Sequence, residues 1–256
     1  MRNLKLIAAA TAVGAMLGMG VASAADLPIK AAPLPVAPPF SWTGFYIGGN
    51  AGAGILHDQG FEFQPVGIPL AVRAAAADRD GFGGLAGGQI GYNYQIGMLV
   101  LGIEGEGFWS GMKVTQDQFD GTTLISTASI RNKWDFDVAG RFGVAFDRAL
   151  VYGKAGWVAG GFDWFGADPF NRFNNQGSAT LNGLLIGIGL EYAFTNNWTA
   201  KFEYNYLGYP SQDVNFSSIH VATGATVPFI QNVSTNKNIF KVGFNYLFNA
   251  APVARY

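Results

Sequence analysis

The sequence predicts an all-β fold: a single eight-stranded antiparallel up-and-down β-barrel that crosses a membrane, with short turns at one rim and long loops at the other. Three observations predict it. The chain is 49% hydrophobic and 14% aromatic with only 13% charged residues, yet past residue 24 no apolar run approaches the length of a spanning helix. Several segments alternate apolar and polar residues with period 2. The connections between these segments alternate between short and long.

The chain opens with an export signal. Arg2 and Lys5 precede an apolar run from Leu6 to Val21, and Ala22-Ser23-Ala24 forms a small-residue cleavage site. Residues 1–24 are therefore expected to be removed. The run is short for a membrane anchor, and with no Cys in the chain no lipid-anchor cysteine follows the cut. Residues 25–41 form a leader in which Pro28, Pro33, Pro35, Pro38 and Pro39 favour an extended spacer over a packed core. The remainder suits one domain, and a net charge of −1 gives no basic excess pointing to nucleic acid.

The first two strands are expected at 42–54 and 82–94. The second contains Gly81-Phe82-Gly83-Gly84-Leu85-Ala86, which fits the G-x-G-x-x-A pattern of a nucleotide-binding turn. Such a turn needs a strand before it and a helix after it. Here AVRAAAADRD precedes it, and the alternating Gln89-Ile90-Gly91-Tyr92-Asn93-Tyr94 follows. The glycines instead read as relief of crowding inside a narrow barrel.

Strands three to eight are expected at 99–109, 133–146, 150–161, 182–194, 198–207 and 238–248. The clearest is the fourth. Trp134, Phe136, Val138, Phe142, Val144 and Phe146 share one face, and Asp135, Asp137 and Arg141 share the other. In the fifth strand Tyr152 and Lys154 share a face. A lysine facing lipid at mid-depth costs about 2–4 kcal/mol, whereas an inward tyrosine costs little, so both are assigned inward.

Connections at 95–98, 147–149 and 195–197 are short; those at 55–81, 110–132, 162–181 and 208–237 are long and carry Pro65, Pro69, Pro169, Pro210 and Pro228. Short periplasmic turns and long extracellular loops identify a barrel of the Gram-negative outer membrane, in contact with outer-membrane lipid and lipopolysaccharide. A soluble periplasmic β-sandwich is the competing fold.

An eight-stranded barrel has room inside only for side chains. The inward set contains Glu104, Glu106, Asp135, Asp137, Arg141, Lys154, Glu191, Lys201, Glu203 and Lys241. Isolated charges there would be very costly, so they are expected to form a salt-bridged plug; a narrow polar conduit is the alternative. Trp42, Tyr94, Trp109, Trp134, Trp164, Trp198 and Tyr206 read as interfacial aromatic girdles. His57, beside Asp58, and His220, near Ser217-Ser218, fall in expected loops. Their spacing defines no catalytic constellation, so no enzyme, metal site or cofactor is expected.

The export signal, the leader running into Phe40-Ser41-Trp42-Thr43-Gly44-Phe45-Tyr46-Ile47-Gly48-Gly49, and Gly187-Ile188-Gly189-Leu190-Glu191-Tyr192-Ala193-Phe194 followed by Asn197-Trp198 and Glu203-Tyr204 resemble the small opacity-protein-like, porin-family outer-membrane β-barrel proteins of alphaproteobacteria. The resemblance implies an abundant surface protein that contributes to envelope integrity and surface contacts, with no shared catalytic motif. Some relatives are associated with haem, which makes His57 and His220 candidate ligands and the long loops candidates for a receptor or adhesin surface. It also implies recognition by the barrel-assembly machinery through Lys241–Phe248, although residues 249–256, NAAPVARY, form a tail where family members usually end.

Overall fold

A computed structural model describes residues 40–58, 79–120, 122–168, 170 and 172–249. The signal, nearly all of the leader, Pro65, Pro69, Pro169 and the tail from residue 250 lie outside them.

Nine strand segments form one antiparallel sheet: β1 (Gly44–Asp58), β2 (Arg79–Ile96), β3 (Leu99–Ser110), β4 (Lys113–Asp120), β5 (Thr123–Phe146), β6 (Ala149–Ala167), β7 (Phe173–Ala193), β8 (Trp198–His220) and β9 (Thr226–Asn249). Consecutive strands are neighbours except β3 and β4, which both pair with β5, and β9 pairs with β1 from Asn249↔Gly44 to Thr235↔Asp58, closing the ring. The segments β3 and β4 share one place beside β5, interrupted at Gly111-Met112, so the ring has eight positions. Closure through β3–β5 and β9–β1 pairs the strands around the apolar band, as a strand protein in hydrocarbon requires; above the band, β4 has its ladder with β5 alone among the described residues.

The wall follows the alternation in the sequence. Phe45, Ile90, Ile103, Phe136, Ile186, Ile188, Phe202 and Phe244 are all exposed. A continuous apolar surface of this kind suits hydrocarbon rather than water. From Phe146 at the turn rim to Trp134 it spans about 30 Å at ordinary strand rise and barrel tilt, close to a hydrocarbon core.

The strands run further than expected. Much of 110–132, 162–181 and 208–237, expected as loop, is strand in β4 to β9. Above the Trp109↔Trp134 pair the two faces exchange chemistry. Outward positions become polar, such as Lys113, Thr115, Ser178 and Asn215. Inward positions become apolar, including Val114, Ile130, Trp164, Leu181, Phe216 and Val233. Period 2 continues, but the apolar parity inverts where lipid gives way to water. Pro210 and Pro228 also lie in strands. The first sits at a shift of the β8–β9 register between Tyr209 and Gln212, where the missing N–H is tolerated.

The β7–β8 ladder is interrupted between Gly177↔Phe216 and Leu184↔Gly208. The Gln212 side chain spans the interruption. Its Nε2 donates to the Asn182 carbonyl at 2.8 Å, and its Oε1 accepts from the Asn182 N–H at 3.1 Å. An amide side chain replaces the missing strand contact.

Ile188 is 58% exposed near the middle of the outward band. Ile188→Lys is expected to cost about 2–4 kcal/mol and to deplete the folded, heat-modifiable band in electrophoresis, whereas Ile188→Val should retain it. A wild-type amount of folded Ile188→Lys would reverse the assignment of the faces.

Candidate functional site

Inside the barrel, the polar parity of each strand converges on one charged layer. Glu104, Glu106 and Glu203 lie at its centre, buried. The Lys154 ammonium reaches all three, at 3.0 Å from Glu104, 3.2 Å from Glu106 and 3.5 Å from Glu203. Its three N–H groups match the three carboxylates in number. Lys201 lies 3.3 Å from both Glu104 and Glu203. Lys241 contacts Glu106 and lies 3.4 Å from Glu203. Arg141 joins this centre to Glu191, with Nη2 at 2.7 Å from Glu191 and Nη1 at 3.5 Å from Glu104.

Neutral groups occupy much of the remaining hydrogen-bonding capacity. Tyr46 donates to Glu104 at 2.9 Å, and Tyr152 donates to Glu203 at 2.6 Å. Thr199 and Asn245 donate to Glu191, and Asn50 donates to Glu106. Gln89 links Asn50 to Asn245. Two glycines make room for the tyrosines: a Cβ on Gly91 would strike the Tyr46 ring, and one on Gly189 the Tyr152 ring. Every position around the ring contributes to this layer. Without such pairing, each buried charge would carry a desolvation cost of several kcal/mol.

A second cluster lies toward the loop rim. Lys237 contacts Asp135 and donates to Asn132 at 3.2 Å, and Tyr209 donates to Asp135 at 2.5 Å. Asp137 is equally buried, yet among the described residues its carboxylate accepts no hydrogen bond and forms no ion pair. It faces Glu106 across the β3–β5 ladder.

Apolar groups lie on both sides of the charges. Toward the turns, Trp42 packs with Val100, Ala145, Leu150 and Ala193, with Phe40 against it. Toward the loops, Phe162, Trp164, Tyr209 and Phe216 belong to a larger cluster with Leu56, Met112 and Ile130.

All ten charged residues expected inside are buried there, nine of them in direct ion pairs. Lys237 escaped the sequence reading because it ended an expected loop; the parity of Lys241, extended four residues back, identifies it. Among the expected girdle residues, Tyr94, Trp109, Trp134, Trp198 and Tyr206 face outward. Two need correction. Trp164 is only 3% exposed, because β6 continues past residue 161 and keeps its parity inward. Trp42 is 1% exposed. It precedes β1 and covers the turn end, its indole donating to the Asp147 carbonyl at 3.1 Å. The two histidines are not brought together: His57 lies on β1, with Nδ1 2.5 Å from Asp80, and His220 ends β8, 3.1 Å from Thr223.

Among the described residues, Glu104, Glu106 and Glu203 are the carboxylates close enough to share an ion, with oxygens within 4.8 Å of one another. Each already receives lysine ammonium groups, so the local cations are supplied by the chain itself.

The family described as the outer membrane protein beta-barrel domain matches residues 11–248. The chain belongs to that family. It is 34% identical over 188 residues to a 22 kDa outer membrane protein of Rhizobium leguminosarum bv. viciae, covering 72% of each chain. It is 32% identical over 245 residues to the 31 kDa outer-membrane immunogenic protein of Brucella melitensis biotype 1, covering 89% of this chain and 93% of the relative. Among solved structures, a major outer membrane protein from Thermus thermophilus aligns with a TM-score of 0.49 at 14% identity, over 80% of this chain and 99% of that one. This outer-membrane barrel therefore carries its apolar band in lipid, its short turns in the periplasm and its long strand ends outside.

Lys154→Met would leave three buried carboxylates short of their shared cation. It is expected to cost about 3–5 kcal/mol in urea unfolding from detergent micelles. Lys133→Met, which removes the half-exposed 2.9 Å pair with Asp163, should cost less than about 1 kcal/mol. Asp137→Asn, which removes an unpaired buried carboxylate, should leave stability unchanged or raise it.

Proposed function

We propose that this protein is a non-enzymatic structural and surface-interaction component of the outer membrane whose lumen is closed. The observation that carries this reading is the interior charge network, to which all eight positions of the ring contribute and which has apolar clusters on both sides. An ion crossing the barrel would have to separate several ion pairs at once and then pass a largely apolar, aromatic cluster. The same network ties each of the eight ring positions to positions beyond its neighbours, which suits a mechanical role in the envelope. The end of its last strand, Lys241–Phe248, with Phe244 and Phe248 facing outward, serves in this reading as the assembly signal.

The names of the relatives support the surface role, since the Brucella proteins are described as outer-membrane immunogenic proteins. The strand ends beyond the apolar band provide the exposed surface. Neither histidine favours a receptor reading: each is engaged by a local partner and lies outside the charge layer.

Purified protein in planar bilayers is expected to give no step-like conductance of nanosiemens size. A strain lacking the chain should become sensitive to detergent and recover with the wild-type protein. Regular conductance steps from wild-type protein would establish the small-porin reading instead. Detergent resistance unaffected by deletion would remove the structural role.

A further inference from the structure

The outer wall carries a charged patch that the lumen does not explain. On the loop side of the outward Trp109↔Trp134 pair, Lys113 on β4 lies directly opposite Arg131 on β5, and Arg131 lies opposite Asp163 on β6. Lys113 and Arg131 are exposed, and among the described residues neither forms a direct ion pair. Lys133 joins them at the β5 bulge, its ammonium 2.9 Å from Asp163. Three cations thus face one carboxylate. That carboxylate is occupied, because Ser178 donates to its other oxygen at 2.8 Å. Of the neighbouring acids, Asp117 accepts from Thr127 four residue pairs higher on the wall, and Asp80 is paired with His57.

Like charges placed opposite each other in a sheet repel, and no described carboxylate makes a direct pair with Lys113 or Arg131 to offset that repulsion. Their position supplies the missing partner. They stand just above the apolar band, on the face that meets lipid, at the height of the outer-leaflet headgroups. The wall is also concave here: a cleft of about 700 Å³ is lined by Lys113, Arg131, Asp163, Phe165, Gln176 and Ser178. It adjoins the interruption of the β7–β8 ladder. Cations above, an aromatic pair below and an apolar wall beneath complement an anionic headgroup carried on acyl chains.

We propose that Lys113, Arg131 and Lys133 form a binding site for the phosphate of a phosphorylated outer-leaflet glycolipid, with its acyl chains lying along the wall below Trp134. Arg131 supplies a planar fork that can hold two phosphate oxygens, and Lys113 and Lys133 supply point charges. Asp163 opposes the phosphate and orients Lys133. The site rests on the membrane placement and is independent of whether the lumen conducts.

Wild-type protein in detergent micelles, probed by native mass spectrometry, should retain diphosphoryl lipid A. Lys113→Gln/Arg131→Gln should retain it at least about tenfold less, given the strength of two charge-assisted contacts. Asp163→Asn should change retention in the opposite direction. Fully dephosphorylated lipid A should bind both proteins equally weakly, and inorganic phosphate at matched concentration should not displace the lipid. Each variant is confirmed as folded by its unheated electrophoretic band; if the double variant fails to fold, the single Lys113→Gln change carries the comparison. Unchanged retention by the folded variant, or equal binding of the dephosphorylated lipid, would overturn the proposal. Displacement by inorganic phosphate would reassign the site to free anions.

Discussion

The structure depends on closure of the backbone hydrogen-bond ladder into a ring. In hydrocarbon an unpaired N–H or C=O costs several kcal/mol, so β9 must return to β1 along the whole register from Asn249↔Gly44 to Thr235↔Asp58. With only eight positions in the ring, its interior is too narrow for bulk water. The inward side chains must therefore satisfy one another.

That requirement explains the interior. The acidic and basic groups are spread over several strands: Glu104 and Glu106 from β3, Lys154 from β6, Lys201 and Glu203 from β8, Lys241 from β9. Pairing them couples distant parts of the chain that share no ladder contact. A buried ion pair is not in itself strong evidence of net stability. Its consequence here is specificity: slippage of one strand by one residue would turn a charge into lipid and leave its partners unpaired. Gly91 and Gly189 add a steric constraint, since Tyr46 and Tyr152 reach their glutamates only because no Cβ stands opposite.

The wall obeys a second boundary, set by the height of the bilayer. Below Trp109 and Trp134, apolar residues point out and polar residues point in. Above them the assignment inverts, and Val114, Ile130, Trp164 and Phe216 turn inward while Lys113, Arg131 and Ser178 turn outward. One strand such as β5, 24 residues long, therefore serves two solvents. The bulge between Asn132 and Trp134 lies at this transition and brings Lys133 beside Arg131 on the outer face. The basic patch is a product of that transition, as is the aromatic cluster that covers the charges.

Period-2 alternation in the sequence determined the barrel, the number of its strands, the outward face of each in the membrane and ten of the charges inside it. These are properties of parity, and parity is local. What escaped was whatever depended on where parity changes meaning or on which strands meet. Trp164 and Lys237 lie in segments that read as loop, because the external medium there is water and the apolar residues face in. Trp42 reads as interfacial in sequence because what folds it over the turn end is a contact with Asp147, 105 residues away. The partners of each charge, the lone carboxylate of Asp137 and the alignment of Lys113 with Arg131 were decided only by tertiary structure, since register across a closed sheet is set by the ring as a whole and by no single strand.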